Sequence, residues 1–107
     1  MTRNFFREAA VGLVVYDLTS ATSFASVSQW LADFADACPD ALAVIVANKA
    51  DVNAEARVVS AADGAALAAA RGLPFFEVSA KSGYNVEELF AHVAQTLVTA
   101  RRNRLLL

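Results

Sequence analysis

The sequence predicts an α/β domain in which three parallel strands alternate with three helices. Three short runs, Val11 to Asp17, Leu42 to Ala47 and Leu73 to Val78, read as strands, and the first two have the composition of strands buried on both faces. After each comes a longer segment whose apolar residues recur at spacings of three and four or that is rich in alanine. Strand-helix alternation of this kind builds a parallel sheet through right-handed crossovers. With the strands in sequential order, the helices at Ala21 to Ala37 and Ser60 to Arg71 lie on one face and the last helix covers the other.

In chain order, Val11, Leu13, Val14, Val15 and Tyr16 make the first strand apolar on both sides, so it expects a layer above and a layer below. Thr19 and Ser20 follow as turn and capping residues. From Ala21 to Ala37, Phe24, Val27, Leu31 and Phe34 form one stripe, while Ser26, Gln29, Asp33 and Asp36 face away. Trp30 borders that stripe and reads as a partly buried packing residue. Cys38-Pro39 ends the helix, because the residue before proline is pushed out of the helical region. Cys38 itself reads as a small buried hydrophobe.

After the second strand, Val52 to Val59 is a connection of alternating charge that includes Glu55 and Arg57. Ser60 and Asp63 have capping-box spacing and open a helix that Gly72 closes as a left-handed cap, with Leu67 as its main anchor among alanines. Asn85 with Glu88 reads as the N-cap of the last helix. Its buried face is Val86, Leu89, Phe90, Val93 and Leu97, His92 is solvated off that stripe, and the helix stops at Arg101 and Arg102.

At 107 residues the chain is one small domain with a single core. A net charge of -2 and 19% charged residues give no electrostatic case for nucleic acid or acidic membranes as partners. The 57% hydrophobic content comes largely from alanine and from runs too short to span a bilayer, and the first residues do not read as a secretory signal. One cysteine excludes an internal disulfide, which points to a reducing compartment, the cytoplasm.

The second run ends in Asn48-Lys49-Ala50-Asp51, and the third in Ser79-Ala80-Lys81. In open parallel sheets, ligands are met at such carboxyl ends. These two stretches resemble the NKxD and SAK elements of the small GTPases. They stand in register with Val15-Tyr16-Asp17-Leu18-Thr19, Ser23-Phe24, Trp30-Leu31, Gly72-Leu73 and Phe75-Phe76-Glu77, an order and spacing similar to the Rab branch of the Ras superfamily. The likeness runs from about Phe5 to about Thr99 and corresponds only to the second part of such a domain, so the fold it implies is a truncated P-loop NTPase-like (Ras-like) domain over residues 1–107. Phe5-Phe6-Arg7 resembles the close of the second switch helix in that family.

Guanine offers two adjacent donors, N1-H and its exocyclic amine, and an ionised carboxylate is the acceptor fork that suits both, which is the role assigned to Asp51. Adenine lacks those donors and would leave the carboxylate unpaired. The resemblance further implies that Asn48 meets the imidazole edge and ties the loops together. It implies that the Ala80 N–H meets O6, that the stems of Lys49 and Lys81 cover the ring faces, and that Ser79 holds Asp51.

The chemistry-bearing elements of the family have no counterpart in this sequence. It contains no GxxxxGK(S/T) phosphate loop, no first-switch threonine element and no DxxG element, so no catalytic residue and no magnesium ligand are assigned. GTP or GDP is the implied ligand, bound weakly by these residues alone. No cysteine follows Cys38, so no prenyl anchor is expected. Two functions follow: the guanine-binding portion of a Rab-like GTPase acting in vesicle traffic or signalling, with effectors or regulators as protein partners, and a nucleotide-free Rab-like interaction module. In either case the uncovered edge of the strand from Val11 to Tyr16 is a template for self-association.

Overall fold

The computed structural model describes residues 11–106, with side chains through Thr99. The Phe5-Phe6-Arg7 element, the side chains of Arg101, Arg102 and Arg104, and those of the terminal leucines lie outside the described residues. The elements are β1 (Val11–Asp17), α1 (Ala21–Ala25), α2 (Val27–Ala37), β2 (Leu42–Asn48), α3 (Ala61–Arg71), β3 (Phe75–Glu77) and α4 (Val86–Leu106). The strands form one parallel sheet in the order β1-β2-β3.

The helical stretch predicted over Ala21 to Ala37 is divided at Ser26, whose hydroxyl bonds back to the Thr22 carbonyl at 3.1 Å while its N–H is shared between Thr22 and Ser23. Serine back-bonding of this kind bends a helix without ending it. At the N-terminus of α3, Ser60 Oγ accepts from the Asp63 N–H at 3.0 Å, and Gly72 closes the helix in the left-handed region at φ 65. α4 continues to Leu106, beyond the arginine pair where the sequence predicts its end. It also starts differently. Asn85 sits at φ 59, and its side-chain amide donates to the Glu77 carbonyl at 3.1 Å, so it tethers the helix start to β3 instead of capping it.

On one face, Val14 and Tyr16 of β1 and Ala43, Ile45 and Ala47 of β2 meet Val27, Leu31 and Ala68 of α2 and α3, with Leu18 and Val59 closing the end. On the other, Val44, Val46, Val78 and Leu89 form a smaller cluster under α4. α3 buries Gly64 and Ala68, with Leu67 only flanking the core, which corrects the expected anchor. Small residues let this helix come down close: a Cβ on Gly64 would overlap both the Tyr16 hydroxyl and the Phe75 ring. The buried Tyr16 hydroxyl has no hydrogen-bond partner among the described residues. Burial, seconded by Glu77 and Asp63 and opposed by Arg57, pushes its pKa up to about 12.

β1 is covered on one face only, against the expectation of two layers. Leu13 and Val15 are 39% and 46% exposed, whereas Val11 packs against the cluster that Val44, Val46 and Val78 form with Leu89 of α4. Phe90, at 58% exposure, and Leu97 stand out of the core, against the expected buried face of this helix. Trp30 is also exposed, whereas His92 packs its ring on Phe76 with centroids 5.3 Å apart. Cys38 is buried as expected. Among the described residues no helix is long and apolar enough to cross a membrane.

Two outcomes follow from this packing. Gly64→Ala gains helix propensity of about 1 kcal/mol, but overpacking costs about 1–3 kcal/mol, so urea unfolding should show a net loss. Tyr16→Phe should be neutral or stabilising alone and should recover part of that loss in the double variant; a stabilised Gly64→Ala would show that α3 is not seated on Tyr16. The β1 edge, unpaired among the described residues and with Leu13 and Val15 beside it, should make the chain dimerise or aggregate. Light scattering checks this: Val15→Lys should shift the chain toward monomer, and a monomeric parent chain refutes it.

Candidate functional site

The register of the sheet puts the carboxyl ends of the strands side by side. Asp17 is paired with Asn48 across β1 and β2, and Ala47 with Glu77 across β2 and β3. The loop after β2 and the loop after β3 therefore leave one edge together, and backbone bonds hold them there. Val78 N–H donates to the Ala47 carbonyl at 2.7 Å, and Ala50 N–H to the Val78 carbonyl at 2.9 Å. The long connection after β2 is pinned to β3 by an ion pair between Arg57 and Glu77, while Arg57 Nε donates to the Val59 carbonyl within the connection itself.

Six residues predicted from the sequence meet in this corner. Ser79 is fully buried; its hydroxyl donates to Asp51 Oδ1 at 2.7 Å and accepts from the Ser82 N–H at 3.0 Å. Asn48 Oδ1 accepts from the Lys49 N–H at 2.8 Å and from the Ala80 N–H at 3.1 Å. Each bond crosses between the loops or stiffens one of them. Asn48, Lys49, Asp51, Val52, Ala80 and Lys81 line an open cleft of about 310 Å³. Lys49 occupies the left-handed region at φ 74, which a non-glycine residue adopts mainly where surroundings enforce it.

The cleft carries one carboxylate, Asp51, between two lysines, Lys49 and Lys81. Asp51 is exposed at the cleft, and its pKa is lowered, first by the Ser79 hydroxyl and then by its own backbone and the Lys81 and Lys49 cations. At neutral pH it presents an ionised fork with one oxygen, Oδ1, already oriented by Ser79. The Ala80 N–H, which the resemblance directs at a base oxygen, is engaged by Asn48 in this structure. Lys49 carries a further contact that the motifs did not announce: its ammonium lies 2.7 Å from Asp17 Oδ2.

A sequence model of the Ras family matches residues 1–99 of this chain. The chain belongs to the Ras family. Among curated relatives it is 40% identical over 98 residues to Ras-related protein Rab-37 of Mus musculus, an alignment covering 91% of this chain and 44% of that protein. It is 39% identical over 94 residues to GTP-binding protein ypt5 of Schizosaccharomyces pombe, covering 87% of this chain and 44% of that one. With Ras-related protein Rab-26 of Rattus norvegicus the figures are 40% over 98 residues, 91% and 38%. The likeness is thus to the Rab branch, and the chain spans less than half the length of the curated relatives it matches. Within a Ras-family frame, the partial α/β fold of three parallel strands is the part of the domain that ends in the Asn48 and Ser79 loops.

The Ser79 bond has a measurable signature. A carboxylate whose folded pKa is depressed adds stability above the unfolded value, about 3.9, and loses it as pH falls through the folded value. Ser79→Ala removes the largest cause of the depression, so carbon-detected titration should find the Asp51 pKa higher in the variant. The Ser79-dependent share of stability should vanish on the acid side. An Asp51 pKa unchanged by Ser79→Ala would mean that the hydroxyl does not hold the carboxylate in solution.

Proposed function

We propose that the Asn48 to Asp51 and Ser79 to Lys81 loops form a guanine-recognition site, and that residues 1–107 act as the base-recognising part of a Rab-like small GTPase working in vesicle traffic. The observation that carries this is the pair of inter-loop bonds, Ser79 Oγ to Asp51 Oδ1 and Ala80 N–H to Asn48 Oδ1. They build one cleft from two motifs and leave a carboxylate exposed in it. Asp51 takes the two guanine donors, and the stems of Lys49 and Lys81 supply apolar walls for the ring. Family membership supports GTP or GDP as the ligand, as does the name of a relative described as a GTP-binding protein. Effectors or regulators as protein partners are part of the same proposal.

A second reading, a nucleotide-free Rab-like interaction module, draws on a specific observation. The Ala80 N–H is already satisfied within the protein, and the sequence carries no phosphate-loop pattern.

Calorimetry against GDP with and without Mg²⁺ separates the two. Base contacts alone, set against an association cost of about 4 kcal/mol or more, leave a dissociation constant no tighter than roughly millimolar. The chain should bind GDP at about that strength, gain nothing from Mg²⁺ and hydrolyse no GTP. Asp51→Ala should abolish binding. Asp51→Asn should move preference from guanine toward xanthine, because an amide donor matches the xanthine O2. No binding at millimolar GDP favours the interaction module, and micromolar binding would show that phosphates are held by residues not identified above.

A further inference from the structure

Asp17 has no part in the base-recognition reading, yet Lys49 is tied to it. It closes β1, directly across the sheet from Asn48. Its carboxylate is fixed independently of the lysine, since Thr19 donates to Oδ1 from its N–H at 2.8 Å and from its hydroxyl at 2.7 Å. Its own N–H donates to Ser23 Oγ at 2.9 Å, which locks the strand end to the first turn of α1. The other oxygen, Oδ2, is left for the Lys49 ammonium at 2.7 Å. Lys49 lines the cleft and Asp17 does not, and the Lys49 ammonium is held toward the end of β1.

Left to itself, an exposed lysine samples many rotamers and offers no fixed surface to a purine ring. A lysine anchored at both ends does. Here one end is the left-handed backbone at φ 74 and the other the Asp17 carboxylate. The ion pair also spends the charge: an ammonium held by Asp17 is not free to follow a phosphate. A Lys49 held in this way serves the ring and not what the ribose carries.

We propose that Asp17 is a positioning residue of the base site: by holding Lys49 Nζ it lays the lysine stem along the cleft as a preformed stacking wall and keeps the ammonium from phosphates. This rests on the base-site reading above. Asp17 acts through Lys49 and touches no ligand itself. The low pKa of the Asp17 carboxyl, about 2, set first by the Lys49 contact and then by Thr19, keeps the tether ionised through the physiological range.

The test titrates the 107-residue chain with guanosine and with GDP, following the amides of residues 48–51 and 79–81 by NMR, and reads the Lys49 side-chain methylenes separately. Asp17→Asn keeps an oxygen for Thr19 and removes the charge; Lys49→Met keeps a stem without an ammonium. In the parent chain the two ligands should bind within about twofold of each other. Asp17→Asn should weaken guanosine about three- to fivefold, the scale of an exposed ion pair, and raise the GDP-to-guanosine preference as Lys49 is released. Asp17→Glu should restore most of the guanosine affinity, and in a Lys49→Met background Asp17→Asn should change nothing further. The proposal is overturned if Asp17→Asn leaves both affinities unchanged, or weakens guanosine as much in the Lys49→Met background as in the parent chain, which would make Asp17 merely a structural strand end. If guanosine moves none of these amides in the parent, the base-site reading falls and this role with it. Lys49 methylenes that still respond to Asp17→Asn would then place the failure in the base reading and not in the tether.

Discussion

Because β2 is hydrogen-bonded in parallel to β1 on one side and to β3 on the other, the loops that leave all three strands start from the same edge of the sheet. That pairing is the constraint on which the site depends. β2 is buried at every position from Ala43 to Ala47, so a slip of one residue would turn its side chains to the opposite clusters and misplace Asn48 relative to Ser79. The bonds from Val78 to Ala47 and from Ala50 to Val78 extend the ladder past the strand ends and carry the register into the loops. Ser79 can then meet Asp51, 28 positions away in sequence, at hydrogen-bond distance.

The two faces of the sheet are covered by different means. Over one, α3 descends on Gly64 and Ala68, so that Tyr16 and Phe75 fill the space a larger helix side chain would take. This close approach leaves the Tyr16 hydroxyl without a partner among the described residues, and a buried donor of that kind lowers stability unless something satisfies it. Over the other, α4 rests on Val44, Val46 and Val78 and leaves Leu13 and Val15 bare. A covered β2 beside a half-covered β1 keeps the strand ends rigid where the loops begin. It leaves the apolar surface at the edge farthest from β3.

Local signals in the sequence placed β1 and β2 and, more widely than its Phe75–Glu77 extent, β3; they were also enough for the Ser60 and Gly72 caps and for the clustering of Asn48, Lys49, Asp51, Ser79, Ala80 and Lys81 at one corner. Each depends on neighbours in the chain, or on two loops joined by sheet connectivity alone. What the sequence did not disclose depends on distant layers. An apolar run such as Val11 to Tyr16 reads as covered on both faces whether or not a second helix reaches it, and Phe90 and Leu97 fit a helical stripe whether or not that stripe finds a sheet below. Asn85 illustrates a different limit: its spacing to Glu88 suits a cap, but its left-handed backbone turns the amide to the Glu77 carbonyl. The contact between Lys49 and Asp17 was hidden for a like reason, since nothing local pairs a loop lysine with an aspartate ending another strand.

In the proposed base site, Asn48 sets the terms on which a base would enter. Its Oδ1 accepts two backbone donors, one from its own loop and one from the other, which accounts for both lone pairs. This cross-link holds the Ala80 N–H in place, and it occupies the same donor that a purine oxygen would seek. A ligand must therefore share or displace a bond already made, and the net gain from that contact is the difference between two similar hydrogen bonds, small beside the value of either alone. Asp51 is in the opposite position, because its exposed carboxylate still has acceptor capacity after Ser79 has donated to Oδ1, and water is the competitor there. Rigidity of the corner and strength of its grip on a base are thus supplied by different residues. In the proposed site Asn48 contributes mainly the first and Asp51 mainly the second, so loss of Asn48 should loosen both loops, whereas loss of Asp51 should leave them assembled but without a grip on guanine.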